Sequence, residues 1–204
     1  MLTEKELRII ELYRKNIFAS YTIREAKKKI NTKSYGWVHN AIKKLKIENI
    51  LKCEEKGNSI LCSINLEEQK ASTYLSLIEE TSSSIKKVPN LKKIMELMPS
   101  NFYILLIGGS YADGSFTEKS DIDVIVIMDK KEDRKFLLNK LSNEGDLMIP
   151  KLHPYVFTRE EFLEMLTNKE ENYGKEIAKK HIIISGAEIF YKIVREAIEN
   201  GFRG

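Results

Sequence analysis

The chain has 204 residues, 42% of them hydrophobic and 31% charged. That is an ordinary globular composition, with apolar material for one large domain or two small ones. No apolar run approaches the ~20 residues of a membrane-spanning helix, and Thr3-Glu4-Lys5-Glu6 is polar where a signal peptide would be apolar, so the expectation is a cytoplasmic protein with no membrane partner. The net charge of +4 is uneven: residues 1–65 hold fourteen basic and seven acidic side chains, a local +7, and the remainder stands at −3. A basic first third points to an anionic partner for that third.

Thr3-Glu4-Lys5-Glu6 has the form of a capping box, and Leu7, Ile10 and Tyr13 follow at helical spacing. Thr22-Ile23-Arg24-Glu25 is a second box, opening a short helix with Ala26 and Ile30 inside. After a turn at Asn31-Thr32-Lys33-Ser34, a third helix is predicted from about Tyr35 to Glu48, with Val38, Ile42 and Leu45 on its apolar side. Two extended segments, Ile50 to Cys53 and Ser59 to Ile64, flank Gly57-Asn58, a two-residue hairpin signal. Pairing Lys56 with Ser59 sets Cys53 opposite Cys62 in a non-hydrogen-bonded pair, where Cα atoms approach most closely, so a cross-strand disulfide is geometrically open. In a mesophilic cytosol the expectation is nonetheless two reduced, half-buried thiols. Without a matching histidine pair they do not make a zinc site.

Three helices and a hairpin in this order resemble the winged helix-turn-helix of MarR-like and ArsR-like transcriptional regulators, over about Leu2 to Asn65. The resemblance implies a third helix in the major groove of double-stranded DNA and a hairpin wing on the backbone or minor groove. The residues facing away from Val38, Ile42 and Leu45 are then the readers: Tyr35, Gly36, His39, Asn40 and Lys43. Asn40 suits adenine, and His39 or Lys43 suits guanine or phosphate. Lys44, Lys46, Lys52 and Lys56 would contact phosphates, which position without specifying. Trp37 is expected in the core or an interface.

Leu66 to about Ile85 is helical in pattern, with Tyr74, Leu75 and Ile78 on one side and Thr81-Ser82-Ser83-Ser84 ending it. It would serve as a connector, either packing onto the second domain or forming the contact of a homodimer. A further helix starts near Pro89, with Leu91, Ile94, Met95 and Met98 apolar, and stops at Pro99-Ser100. The expected division is a DNA-binding domain at 1–66, a helical connector at 67–88 and a second domain at 89–204.

The densest chemical signal follows. An apolar run, Phe102 to Ile107, leads into Gly108-Gly109-Ser110-Tyr111-Ala112-Asp113-Gly114, and Ser120-Asp121-Ile122-Asp123-Val124 opens a second run. The reading is strand, Gly-Ser turn, loop, strand. Residues i and i+2 of a strand share a face, so Asp121 and Asp123 would aim two carboxylates at one spot, with Ile122 and Val124 buried behind them. Paired carboxylates suit a hard cation such as Mg²⁺ that bridges to phosphates, and glycine lets the backbone approach those phosphates. Gly-Ser followed by Asp-x-Asp on a strand resembles the signature of the DNA polymerase β-like nucleotidyltransferase superfamily, over roughly Pro89 to Tyr191. The resemblance implies that Gly109 and Ser110 hold the β- and γ-phosphates of an NTP, and that Asp121 and Asp123 are the catalytic metal ligands for Mg²⁺ or Mn²⁺. An acceptor then attacks the α-phosphate and pyrophosphate leaves.

Two positions depart from the pattern. Asp113 is an acid where small members carry a base, tolerable if it points away or meets a lysine such as Lys119. A third carboxylate belongs on a later strand, and the candidate Leu152 to Phe157 offers His153 and Tyr155, or Pro154 alone, toward the site. Asp146 could serve under another register, and His153 could act as metal ligand or general base instead. A crossover helix precedes that strand (Glu132 to Leu141), and a helix capped by Thr158, a short strand His181 to Ile184 ended by Gly186, and a last helix Phe190 to Ile198 follow it. The expected class is α+β: a winged helix-turn-helix followed by a nucleotidyltransferase-fold mixed sheet with flanking helices. Two functions stay open: a DNA-binding protein that transfers a nucleotidyl group to a protein, RNA or small molecule, and a transcriptional regulator whose second domain only senses a nucleotide or holds a dimer.

Overall fold

The computed structural model describes residues 2–82, 85, 88–99, 102–129 and 131–204, with 131 and 132 described by their backbone alone. The first unit comprises α1 (Glu4–Arg14), β1 (Ser20–Thr22), α2 (Ile23–Ile30), α3 (Tyr35–Ile47), β2 (Leu51–Lys56) and β3 (Ser59–Ile64). Both capping boxes close: Thr3 and Thr22 each accept from the N3 backbone, while Glu6 and Glu25 reach back to the cap. Asn31, at φ 56°, ends α2 in the left-handed conformation that asparagine tolerates. The strands form an antiparallel sheet in the order β1-β3-β2. The three-residue β1 is too short for a sequence pattern and gains its place by pairing Tyr21 with Cys62.

The hairpin has the counted register, Lys56 opposite Ser59 and Cys53 opposite Cys62. The two cysteines are joined as a disulfide, with Cα atoms 4.1 Å apart. This corrects the expectation of reduced thiols: the register alone brings both side chains to one face at the closest spacing a sheet provides.

α4 (Gln69–Glu80) is shorter than the expected Leu66–Ile85 helix and ends on Thr81; Ser83 and Ser84 lie outside the described residues. It packs against α1 and against α10 (Ala187–Glu199), with Ala71, Leu75 and Ile78 buried. Its apolar side is therefore used within the chain. α5 (Leu91–Leu97) follows, anchored by Ile94, while Met95 is exposed. The helix ends before Pro99, and Ser100 lies outside the described residues.

A four-stranded sheet holds β4 (Tyr103–Ile107), β5 (Ile122–Met128), β6 (Leu152–Thr158) and β7 (Ile182–Ser185) in the order β6-β5-β4-β7. β5 and β6 run parallel, joined by the crossover helix α7 (Lys131–Gly145), and the other pairs are antiparallel. Alternation along β4 and β5 makes two apolar faces. Leu105, Ile107, Val124 and Val126 pack against Leu137 and Leu141 of α7 and against Ile94. Ile104, Leu106, Ile125 and Ile127 meet α8 (Arg159–Thr167), α9 (Tyr173–Lys179) and α10 through Phe162, Ile177 and Phe190. This second core is continuous, through Leu75 and Ile78 of α4, with the core of the first unit.

One polar group crosses that continuity. Arg14 of α1 pairs with Glu79 of α4 at 3.3 Å, and the Tyr191 hydroxyl of α10 donates to the same carboxylate at 3.3 Å. All three residues are buried. Burial pushes the Glu79 carboxyl up to about 7, with Arg14 pulling the other way.

Candidate functional site

At the end of β4 the chain bends sharply under β5. Gly108 donates its N–H to the Asp123 carbonyl at 2.9 Å, extending the ladder by one bond. Gly109 then adopts φ +55°, and a Cβ there would lie 1.9 Å from Oδ2 of Asp123. A Cβ at Gly108 would sit 2.8 Å from Ile125 Cδ1 and 3.2 Å from the Tyr173 hydroxyl. Only two glycines let the backbone pass this close beneath the carboxylate. The expected turn is here a five-residue helix, α6 (Gly109–Asp113), with Ser110 half-buried in it. The bend at Gly108–Gly109 leaves α-conformation as the continuation, and Gly114, at φ 84°, closes it.

Asp123 lies within β5, half-buried, while Ile122 and Val124 are fully buried on the opposite face. Asp121 immediately precedes the strand rather than lying in it, and is exposed, because β5–β6 pairing begins at Ile122 opposite Leu152. Burial raises the Asp123 carboxyl above its ordinary range; His153 opposes this, and the negative charges of Asp121 and Glu176 add to it. The two aspartates therefore feel one another, as the Asp-x-Asp spacing requires.

Opposite Asp123 in the parallel neighbour stands His153. Its Nδ1 lies 3.3 Å from Asp123 Oδ1 and 3.3 Å from the Tyr155 hydroxyl. The face of β6 toward the site thus carries His153 and Tyr155 and no acid. Asp146, the alternative third carboxylate, sits in the turn after α7 and faces Lys151 at 3.6 Å. Asp113 does not meet Lys119: it accepts from the Ser115 N–H at 2.9 Å and hydroxyl at 2.6 Å, and lies 3.8 Å from Lys180. The Ser115 bonds, with Lys180 behind them, hold its carboxyl below the usual range.

Sequence reading passed over α9, which brings three groups to the cleft beside Gly108, Gly109 and Asp113: Tyr173, Glu176 and Lys180 at its end. The helix has seven residues, too few for a readable apolar period; its one local sign is Asn172, whose side chain caps it by accepting from Lys175 N–H. The Tyr173 ring packs 4.5 Å from that of Tyr155. Its hydroxyl is buried beside Gly108, makes no hydrogen bond of good geometry, and is raised in pKa chiefly by burial.

The donor set suits a hard divalent cation. Two carboxylates at one edge, one of them pressed against a glycine backbone, are the oxygen ligands Mg²⁺ or Mn²⁺ takes from a protein when substrate phosphates and water complete the shell. Among the described residues no cluster of three or more His, Cys, Asp or Glu has metal-site geometry, so phosphates and water would have to supply the rest.

A family model described as the nucleotidyltransferase domain matches residues 88–202, more than half of the chain. The chain belongs to the nucleotidyltransferase family. No curated protein and no solved structure gives a significant match. The nucleotidyltransferase domain so delimited contains the Gly-Ser bend, both aspartates, His153 and all of α9; residues 1–87 lie outside the match.

In that first part, Tyr35, Gly36, His39, Asn40 and Lys43 are all exposed on α3, along with Lys46 and Ile47. The Tyr35 and His39 rings stack at 6.3 Å, and His39 Nδ1 is 3.4 Å from Asn40 Oδ1. Trp37 is half-buried against the core. Two expected phosphate contacts are otherwise engaged: Lys44 pairs with Glu6 at 2.9 Å and Lys52 with Glu67 at 2.8 Å.

Proposed function

We propose that the protein binds an NTP with Mg²⁺ or Mn²⁺ in the cleft between α6, β5 and α9, transfers a nucleotidyl group to an acceptor, and carries a DNA-binding head. The observation that carries the first part is the bend at Gly108–Gly109 directly beneath the Asp123 carboxylate, in a chain of the nucleotidyltransferase family. In this reading Gly109 and Ser110 hold the terminal phosphates, and Asp121 and Asp123 hold the metal. The cation supplies charge neutralisation at the phosphorus under attack. Lys180, released from Asp113, adds a positive charge to the triphosphate, and Asp113 keeps it in reach meanwhile. His153 would accept the proton of the acceptor hydroxyl, since its other ring nitrogen is not the one facing Asp123.

The test uses α-labelled NTPs with Mg²⁺ or Mn²⁺ and an extract of the source cells as acceptor pool, with Asp121→Asn/Asp123→Asn as control. Label transferred by the wild type alone supports transfer. Metal-dependent NTP binding without transfer supports a nucleotide sensor. That second reading is favoured by one feature, the histidine where a third carboxylate belongs. His153→Asp tests that feature: it should tighten Mn²⁺ binding by at least about tenfold if position 153 is the vacant ligand position, and unchanged affinity would exclude that role.

For residues 1–66, the three helices, the β1-β3-β2 sheet and the exposed α3 face support a winged helix that binds double-stranded DNA. The readers are Tyr35, Gly36, His39, Asn40 and Lys43.

A further inference from the structure

α4, the helix whose sequence offered a dimer contact, buries its apolar side within the chain. An open apolar surface lies instead at one end of the four-stranded sheet. There a groove of about 190 Å³ is bounded by the start of β4, the end of β5 and α10. Ile104, Ile127 and Ile193, all buried, form its floor, and Phe102 and Ile189 form its rim. Phe102, the residue before β4, is 81% exposed, and Ile189 is 37% exposed. β4 runs from this end toward Gly108, and β5 starts beside Asp121 and ends here, so the groove lies at the opposite end of both strands from the carboxylates. Among the described residues, none of 1–66 lines it.

Size and charge both point to one occupant. An apolar cavity of ~150 Å³ is enough to hold benzene, so this groove admits one phenyl ring. The same patch carries such a ring at its own rim: Phe102 is turned to solvent, and among the described residues no other ring stacks on it. A knob beside a hole of matching size is self-complementary. A copy related by a two-fold axis places its Phe102 in this groove and receives this Phe102 in its own. Asp129, exposed, and Arg159, half-buried, stand at the edge of the groove, one charge of each sign. Arg159 gives Nη2 to Glu196 and retains its other N–H groups, and Asp129 pairs with no described residue. An isologous contact sets a patch against itself, so a patch of one sign repels its copy, whereas an acid and a base at its two sides meet their opposites.

We propose that this face binds a second copy of the chain about a two-fold axis. Phe102 of each protomer enters the groove of its partner, against Ile104, Ile189 and Ile193, and Asp129 of one protomer faces Arg159 of its partner. An aromatic, apolar centre inside a charged rim is the common anatomy of a protein interface. The contact joins the two nucleotidyltransferase domains, and no residue of the carboxylate cleft or of α3 lines the groove. Such a dimer therefore forms without nucleotide, metal or DNA.

The test is sedimentation velocity of the full chain over about 1–200 µM, free of nucleotide and DNA, with a thermal melt of every variant. The expected result is a species of twice 23.7 kDa at the upper concentrations that dissociates on dilution, as a small interface does. Phe102→Asp and Ile189→Asp should each weaken association at least about tenfold with Tm unchanged, because both side chains are exposed. Asp129→Arg and Arg159→Asp should each associate weakly alone and recover when mixed, since only the mixed pair restores opposite charges across the axis. Leu147→Ser/Ile149→Ser removes two exposed aliphatic side chains outside the groove and should leave association within about twofold. A chain monomeric at ~200 µM, wild-type association in both Phe102→Asp and Ile189→Asp, no recovery in the charge-reversed mixture, or loss of association in Leu147→Ser/Ile149→Ser would overturn the proposal.

Discussion

Gly109 shows how far a single residue can fix a site. Its φ of +55° and the 1.9 Å from a hypothetical Cβ to Asp123 Oδ2 leave no room for alanine. Gly109→Ala should lower stability by more than ~1 kcal/mol, since alanine resists positive φ. It should also weaken metal-dependent NTP binding at least about tenfold; calorimetry and thermal melts would check both, and unchanged binding would mean that the bend does not place the carboxylate. At this scale the sequence pointed to Gly109, Ser110, Asp121 and Asp123 by residue type and spacing, and the structure brings Gly109 directly beneath Asp123. What they left out was Lys180 as the partner of Asp113, because it comes from a chain segment distant in sequence, while His153, one of the alternatives for β6, does face Asp123.

At the scale of elements, the capping boxes at Thr3, Thr22 and Thr158 marked helix starts directly, because cap and N3 residues act within one turn. α6, α9 and β1 were not legible: each has three to seven residues and takes its conformation from what it packs or pairs against. The hairpin register followed from Gly57-Asn58; the register left a disulfide geometrically open, but reduced thiols were expected, and the structure joins the two cysteines. Reducing it, or Cys53→Ser with Cys62→Ser, should lower stability by roughly 2–3 kcal/mol on a loop-closure estimate, visible as a lower Tm with the fold retained. On α3, Lys43→Ala with Lys46→Ala should weaken duplex binding and flatten the log–log salt slope by about 2. Lys44 is a poorer choice, since Glu6 holds it. A duplex affinity independent of salt would remove the DNA-binding reading.

For the whole molecule the joint between the two parts is decisive. Arg14, Glu79 and Tyr191 meet from α1, α4 and α10 in a buried group. Removing one partner of a buried pair typically costs ~3–5 kcal/mol, so Arg14→Met should destabilise the chain strongly while Glu79→Gln, which keeps a hydrogen-bonding amide, should cost less. The sign with pH follows from Glu79, whose carboxyl stands at about 7 when folded against 4.5 as its ordinary value. Between those values the folded state binds the extra proton, so its contribution is full below about 4.5 and is lost as pH rises through about 7. Denaturant melts across that window should show a falling stability in the wild type and a flatter profile in Glu79→Gln; parallel profiles would mean that Glu79 does not titrate there. By itself the sequence determined the α+β class, the order of the main helices and strands, the +7 charge of the first third and the nucleotidyltransferase motif, because propensity, capping, periodicity and residue chemistry are local. Only the tertiary structure decided that α4 spends its apolar side inside the chain, that α9 brings Tyr173, Glu176 and Lys180 beside Gly108 and Gly109, and that a cavity lined by Arg14, Lys15 and Tyr111 lies between α1 and α6. Those outcomes depend on which surfaces meet across long sequence separations, and packing settles that through the shape and burial of whole faces rather than through any short pattern.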